Sequence, residues 1–173
     1  MLSNERIKEA ENNVRSYLDE GLLKKEKFQN IIFETYMRNH RESLIVARKL
    51  FNESLSNLWT IVISYYSMFY LANALTYKLG HKIGSKVAHR VISDALIVFV
   101  RNKLKDNLIE DYEIASDEAL ALSDNILQSY DLERKKRSVF QYESTEEIKT
   151  AKAKTSLDRA EEFSKETEKL LID

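Results

Sequence analysis

Residues 56–80, SNLWTIVISYYSMFYLANALTYKLG, decide the fold. Apolar side chains recur along this stretch at helical spacing: Leu58, Ile61, Val62, Tyr65, Met68, Phe69, Ala72, Leu75 and Leu79. A face this wide is typical of a helix at the centre of a bundle or against a second subunit. Gly80 stands where a glycine commonly ends a helix, so we expect the helix to stop there.

The composition favours long helices joined by short connections. The chain has 173 residues, which fits one domain, and it contains three glycines and no proline. Glycine and proline supply the turns that an all-β protein needs. The glycine-rich loops of dinucleotide-binding and P-loop proteins are also absent from the sequence. The sequence has no cysteine, which excludes disulfides, thiolate metal sites and cysteine nucleophiles.

Charge and hydropathy bear on partners and location. Lys and Arg number 27 and Asp and Glu 28, a net charge of −1, so a globally basic nucleic-acid binder is excluded while a local basic patch is not. The polar start, MLSNERIKEAENN, lacks the apolar core of a signal peptide. No apolar run approaches the roughly 18–20 residues that cross a bilayer. We therefore expect a cytoplasmic protein without a membrane partner.

The same periodicity predicts helices elsewhere in the chain. They cover residues 3–20, about 22–37, 41–53, 86–104 after an N-cap at Ser85, and 108–140, and a last helix starts at the capping box of Ser144 and Glu147. Segments 22–37 and 41–53 are one helix or two, and 108–140 has room for a break near Ser116 and Asp117. The fold predicted is all-α, an antiparallel up-and-down bundle of five to seven helices.

Motifs for metal and nucleophile chemistry are missing. None of His40, His81 and His89 has a glutamate three residues before it, as a di-iron helical bundle requires, and HExxH is absent. The GxSxG elbow of serine hydrolases is absent too. We therefore predict no metal site and no cofactor.

The segment ERKKRSVFQY, residues 133–142, is the most informative for function. It contains four consecutive cations, Arg134, Lys135, Lys136 and Arg137. At about 100° per residue, Arg137 lies within roughly 20° of Ile126 and Tyr130, on the apolar stripe of its own helix. A charge on that stripe needs a partner, a polar cleft or an interface, because an unpaired buried charge is costly. Tyr142 is about 140° away, so the two share a cleft only if the helix ends or distorts before it.

These residues carry a resemblance to a known family. The stretch YYSMFYLANALTYKLG (65–80) resembles the YYAMF-type central helix of small prokaryotic HEPN-domain proteins. The resemblance continues through SKVAHRVI (85–92), through Arg137 to Tyr142, where the group has an Arg-x-x-Ala-Asp-Tyr motif, and through STEEIKTAKAKTSLDRAEEF (144–163). It covers roughly residues 41–173 as a HEPN-like bundle. Residues 1–40 lie outside it and are interpreted as an N-terminal helical extension.

The resemblance implies a homodimer. In catalytic HEPN members, an Arg-x4–6-His motif from each subunit meets at the dimer cleft and cleaves RNA without metal. Other members bind nucleotides or pair with a minimal nucleotidyltransferase in a toxin–antitoxin system. The resemblance implies that a nucleotide or RNA phosphate would be contacted by Arg134, Lys136, Arg137 and Tyr142.

The chain departs from the family at the catalytic position. No histidine follows Arg134 or Arg137, and Tyr142 stands where the catalytic histidine would be. Tyrosine, with a pKa near 10, is a poor base at neutral pH, although it can donate a hydrogen bond to a phosphate. Binding is therefore favoured over cleavage. The alternative is a metal-independent endoribonuclease toxin in which Tyr142 or His89 works with Arg137.

Two further interpretations stay open. A structural protein-interaction module would need none of this chemistry. Tyr65, Tyr66, Tyr70 and Tyr77 could stack on bases, but on so apolar a helix the core or a dimer interface is the simpler interpretation, as it is for Trp59.

Overall fold

Six helices and two short strands follow one another along the part of the chain that the computed structural model describes, residues 2–135 and 150–172. They are α1 (Asn4–Asp19), β1 (Leu23–Lys25), α2 (Asn30–Asn52), α3 (Asn57–Lys78), β2 (His81–Ile83), α4 (Ala88–Phe99), α5 (Asp106–Lys135) and α6 (Thr150–Ile172). The all-α prediction is confirmed, since each strand has only three residues.

The prediction of a helix starting at residue 22 is wrong. Leu23–Lys25 form β1, which pairs antiparallel with β2 so that Leu23 faces Ile83. Gly21 has φ +71° and Gly80 has φ +88°, and this left-handed geometry turns the chain into each strand. Leu23 is fully buried while the two lysines after it are exposed. Helix and strand patterns are hard to distinguish over so short a run, and the partner strand lies far along the chain.

Several helix boundaries also differ from the predicted ones. α2 is a single helix, and α5 is helical through Ser116 and Asp117 without a break. α4 begins at Ala88 and ends at Phe99, and its N-cap is Val87 rather than Ser85. Val87 has φ +46°, which is strained for a β-branched side chain. The capping box of Ser144 and Glu147 lies outside the described residues.

Neighbouring helices alternate in direction only in part. α2 and α3 form an antiparallel hairpin, and α5 runs antiparallel to α6, with Arg159 of α6 reaching Asp111 of α5 at 3.3 Å. α3 and α6 instead run in the same direction, because Asn57 contacts Thr150 at one end and Lys78 contacts Leu171 at the other. α4 also runs in the same direction as α3, because His89 at its start packs on Phe69 of α3 while Phe99 at its end stacks on His81, just past the end of α3. The strict up-and-down order is therefore not kept.

α3 lies at the centre, as its sequence predicts. The largest fully buried side chains around it include Tyr65, Tyr77, Tyr112 and Phe163. By length and composition α3 could also cross a membrane, although 67% of its most apolar window is buried inside the protein. Trp59, which the sequence places in the core, is 48% exposed.

The first 40 residues share the core with the rest of the described chain. Ala10, Val14 and Leu23 are buried in the same cluster as residues of α3 to α6. The boundary expected after residue 40 falls inside α2. Whether residues 1–40 are an addition to a HEPN-like unit stays a prediction.

A buried ion-pair network attaches α1 to α4 and α5. The carboxylate of Asp94, 1% exposed, forms an ion pair with Arg6 at 2.7 Å. It also accepts hydrogen bonds from Tyr17 at 2.9 Å and from Asn13 at 3.0 Å. Arg6 also reaches Glu113 at 2.7 Å. One guanidinium thus compensates two carboxylates from different helices. Burial and the Asp94 hydrogen bond raise the pKa of Tyr17 to about 12, so its hydroxyl stays a donor.

His40 is a second buried polar group, held between α2, α3 and α6. It is 1% exposed, and its Nδ1 lies 3.0 Å from the backbone oxygen of Ser67. The Ser67 hydroxyl also lies 3.0 Å from Nδ1, so Nδ1 can donate to the carbonyl or accept from the hydroxyl. Nε2 lies 3.6 Å from Glu168. Burial lowers the pKa of His40 and Arg41 lowers it further, while the Ser67 hydrogen bond and Glu168 act in the opposite direction.

The lowered pKa of His40 predicts a loss of stability in acid. Between pH 7.5 and 5.5 the unfolded chain takes up a proton at this histidine more readily than the folded chain. The free energy of unfolding therefore decreases as the pH is lowered. His40 contributes at most about 1.4 kcal/mol by pH 5.5, given an unfolded pKa near 6.5. His40→Asn keeps a donor for Ser67 and should show a smaller fall in urea unfolding over this range. An unchanged fall would contradict the assignment.

Candidate functional site

Of the site residues that the sequence predicts, His89 is the one whose side chain the structure describes. Lys136, Arg137 and Tyr142 lie outside the described residues. Arg134 belongs to the last two turns of α5. The candidate site described here is therefore the His89 site, which comprises His89, Tyr65, Tyr66, Phe69 and Ser116.

His89 is fixed by a chain of hydrogen bonds and by ring packing. It is the second residue of α4, and its Nδ1 lies 2.7 Å from the hydroxyl of Tyr65 on α3. Ser116 of α5 donates to the same hydroxyl at 3.0 Å. The imidazole also packs on Phe69, with ring centroids 4.6 Å apart. Three helices thus meet at one half-buried histidine.

The hydrogen-bond chain favours one proton position on His89. Because Ser116 donates to the Tyr65 oxygen, the Tyr65 proton is available for Nδ1 of His89. The neutral imidazole then carries its own proton on Nε2, and no described residue accepts it. Burial lowers the pKa of His89, so the ring is neutral at pH 7. Nε2 is therefore a neutral hydrogen-bond donor toward whatever lies beyond it.

The buried phenols beside His89 stay protonated. Burial raises the pKa of Tyr65 to about 12. Tyr112 is completely buried, and burial together with the nearby Tyr65 phenol raises its pKa well above the ordinary value. Its hydroxyl makes no hydrogen bond of acceptable geometry within the described chain. Neither tyrosine can act as a base near neutral pH.

Cations and aromatic faces surround the start of α4. Lys86 and Arg90 are exposed on either side of His89, and the one described partner of Arg90 is Glu9 at 3.7 Å. Tyr66 and Tyr70, whose rings lie 6.3 Å apart, are half-buried, whereas Tyr65 and Tyr77 are buried. The first turn of α4 has no side-chain cap. This surface can donate to an anion and stack on a planar ring.

Arg134, the first cation of the run at residues 134–137, is remote from His89 along α5. α5 is one helix from Asp106 to Lys135, so Arg134 lies about 27 Å along its axis from Ser116. Ser116 and His89 both form hydrogen bonds with the hydroxyl of Tyr65, so Ser116 marks the position of His89 along α5. Arg137 lies outside the described residues, so its position relative to His89 stays a prediction.

Sequence reasoning missed the partners of His89. The sequence pattern places Tyr65 in the core and allows a helix break near Ser116. Their pairing depends on contacts between helices that are far apart in sequence. The structure also assigns partners to the two other histidines: His40 contacts Ser67, and His81 stacks on Phe99 at 4.4 Å. Within the described ranges, no three His, Asp or Glu side chains are grouped to hold a metal ion.

Comparisons with protein-family models, curated proteins and solved structures find no match for this chain. The HEPN assignment therefore remains a resemblance in the residues quoted above.

Proposed function

We propose that the protein is a HEPN-type nucleotide- or RNA-binding regulatory protein that acts as a cytoplasmic homodimer. Arg137 and Tyr142 hold phosphate groups in a cleft, and Arg134 and Lys136 add phosphate contacts. Its partner is a minimal nucleotidyltransferase, as in the toxin–antitoxin pairs of the family that it resembles. The proposal rests on the sequence resemblance and on one structural observation, the chemistry of the His89 site.

The His89 site supports binding because it offers donors and aromatic faces together. The neutral imidazole donates from Nε2, and Lys86 and Arg90 supply positive charge beside it. Such groups contact phosphate oxygens, and the half-buried rings of Tyr66 and Tyr70 suit base stacking. A polyanion with planar bases meets both requirements, which favours a nucleotide or RNA over a simple anion.

The length of α5 favours RNA over a mononucleotide. About 27 Å separates Arg134 from Ser116 along the helix axis, which corresponds to about eight stacked nucleotides at 3.4 Å each. A single nucleotide cannot bridge that distance. An oligonucleotide can contact Arg134 and the His89 site of one protomer at the same time.

A second candidate function is metal-independent RNA cleavage, because a neutral, half-buried histidine lies beside two exposed cations. In the tautomer with its proton on Nδ1, His89 can take the 2′-OH proton at Nε2, the imidazolium so formed can return that proton to the leaving oxygen, and arginine can stabilise the charge on a phosphorane. In this alternative Arg137 comes from the partner subunit, as the dimer cleft implied by the resemblance would require. Cleavage by a dimer of two inactive chains, one His89→Ala and one Arg137→Ala, would establish this alternative.

The first experiment measures RNA binding and cleavage in excess EDTA. We expect wild type to bind a 12-nucleotide single strand without cleaving it, and to bind a 4-nucleotide strand more weakly. Arg137→Ala should lower affinity at least tenfold, because an arginine–phosphate contact contributes about 1.5–3 kcal/mol. Arg48→Ala, which removes an exposed arginine from α2, is the matched control and should bind normally.

Three results would change the proposal. Cleavage that leaves 2′,3′-cyclic phosphate ends would make the protein a ribonuclease. Equal affinity for a mononucleotide and the 12-nucleotide strand would make the ligand a nucleotide. If the protein neither binds nor cleaves RNA, the remaining interpretation is a protein-interaction module.

A further inference from the structure

A groove of about 540 Å³ runs between α2 and α6, away from the His89 site. Its lining comes from two segments, His40 to Arg48 and Glu161 to Ile172. Ser67, which holds His40, follows Tyr65 by two residues and therefore points about 200° away from it around α3. The groove and the His89 site thus lie on opposite sides of the central helix.

The groove carries excess positive charge. Four cations line it, Arg41, Arg48, Lys165 and Lys169, against two glutamates, Glu161 and Glu168. Glu161 lies 2.7 Å from Arg48 and Lys169 lies 2.7 Å from Glu166, so these charges are compensated. Glu168, 3.6 Å from Nε2 of the neutral His40, keeps its charge. Within the described chain Arg41 and Lys165 form no ion pair. Two cations are therefore available to a ligand.

The apolar part of the groove is aliphatic and exposed. Ile45 is 61% exposed and Ile172 is 85% exposed, while Leu44 lies buried between the helices. No phenylalanine, tyrosine or tryptophan is among the described residues that line the groove. It therefore suits aliphatic side chains better than a nucleobase, which binds by stacking.

The dimensions match a short helix. From His40 to Arg48 the α2 wall extends about 12 Å, and from Glu161 to Ile172 the α6 wall extends about 16 Å. Two to three turns of a partner helix would lie along it. A second copy of this chain is a poorer occupant, because a two-fold contact would bring two surfaces of the same positive charge together.

We propose that the groove binds an acidic, aliphatic helix of a partner protein. Carboxylates of that helix pair with Arg41 and Lys165, and its leucine-like side chains cover Ile45 and Ile172. This inference is independent of RNA binding, since it uses neither the His89 site nor the cations of residues 134–137.

The test uses two labelled synthetic helical peptides of 15 residues and fluorescence anisotropy. Both have leucine at positions i, i+4, i+7 and i+11; the other positions are glutamate-rich in one peptide and lysine-rich in the other. We expect the full chain to bind the glutamate peptide at least tenfold more tightly than the lysine peptide. Salt at 0.5 M should weaken this binding, since the charges are near the surface.

Charge reversal makes the test specific. Arg41→Glu/Lys165→Glu should bind the glutamate peptide at least tenfold more weakly than wild type and should reverse the preference between the peptides. Lys27→Glu/Lys103→Glu makes the same change of charge at exposed lysines outside the groove and should bind like wild type. Circular dichroism checks that both variants keep their helical content.

Several outcomes would overturn the proposal. Equal binding of the two peptides, or binding of neither, would exclude an acidic helix. A change of oligomeric state in Arg41→Glu/Lys165→Glu, measured by sedimentation velocity, would make the groove an interface between copies. Loss of RNA affinity in that variant, with peptide binding unaltered, would assign these cations to nucleic acid.

Discussion

Replacing Arg6 with alanine is expected to lower the free energy of unfolding by about 3 kcal/mol, the largest effect that we predict for one side chain. Asp94 is 1% exposed, and Arg6 is the cation that compensates both it and Glu113. Removing one partner of a buried pair leaves a charge without compensation, which costs about 3–5 kcal/mol. Since the Arg6 side chain is 26% exposed, the lower end of that range applies.

Arg48→Ala is the matched control for this experiment. Its distance to Glu161 is 2.7 Å, the same as that from Arg6 to Asp94, but its side chain is 47% exposed. An exposed ion pair contributes about 0–1 kcal/mol. The melting temperature should fall by roughly 6–12 °C in Arg6→Ala and by a few degrees at most in Arg48→Ala. Equal shifts would mean that α1 is attached mainly by its apolar contacts.

Tyr65→Phe is expected to lower the free energy of unfolding by about 2 kcal/mol. The phenol is 1% exposed, and its hydroxyl satisfies both Ser116 and Nδ1 of His89. A buried polar group left without its partner costs about 1–3 kcal/mol. The proton of His89 is also no longer held on Nε2. We therefore expect nitrogen chemical shifts of the imidazole to show a larger share of the Nδ1-protonated form.

Tyr112→Phe is the matched control, because it also removes a buried phenol hydroxyl and keeps the aromatic ring. Tyr112 is equally buried and lies against Tyr65, with ring centroids 5.7 Å apart, and its hydroxyl makes at most a poorly aligned contact with the Tyr65 hydroxyl. Its removal deletes a poorly satisfied buried group and should change the free energy of unfolding by less than about 1 kcal/mol. Urea unfolding of the two variants side by side measures the difference. A larger loss in Tyr112→Phe than in Tyr65→Phe would refute the hydrogen-bond chain described for His89.

The helical class and the central position of α3 were predictable because both follow from local rules. Apolar spacing and the scarcity of glycine and proline indicate long helices wherever the chain goes. Ser56 and Gly80 mark the two ends of α3, and the structure places the helix from Asn57 to Lys78. These signals act within a few residues, so the sequence contains them in full.

The pairing of distant segments was not predictable in this way. β1 exists because residues 81–83 provide its hydrogen-bond partners almost sixty residues later. The parallel direction of α4 and α3 depends likewise on distant contacts, such as that of His89 with Phe69. Such contacts depend on the whole fold, and a short run such as LKK carries no local preference that reveals them.

For the candidate site, the sequence by itself determined which residue types are present: a histidine after two small apolar residues, tyrosines on the most apolar helix, and a cation run without a following histidine. Only the tertiary structure decided that His89 joins Tyr65 and Ser116, and that α5 carries Arg134 away from them. The physical reason is that a side chain's hydrogen-bond partners and burial, and with them its pKa, come from neighbours on other helices.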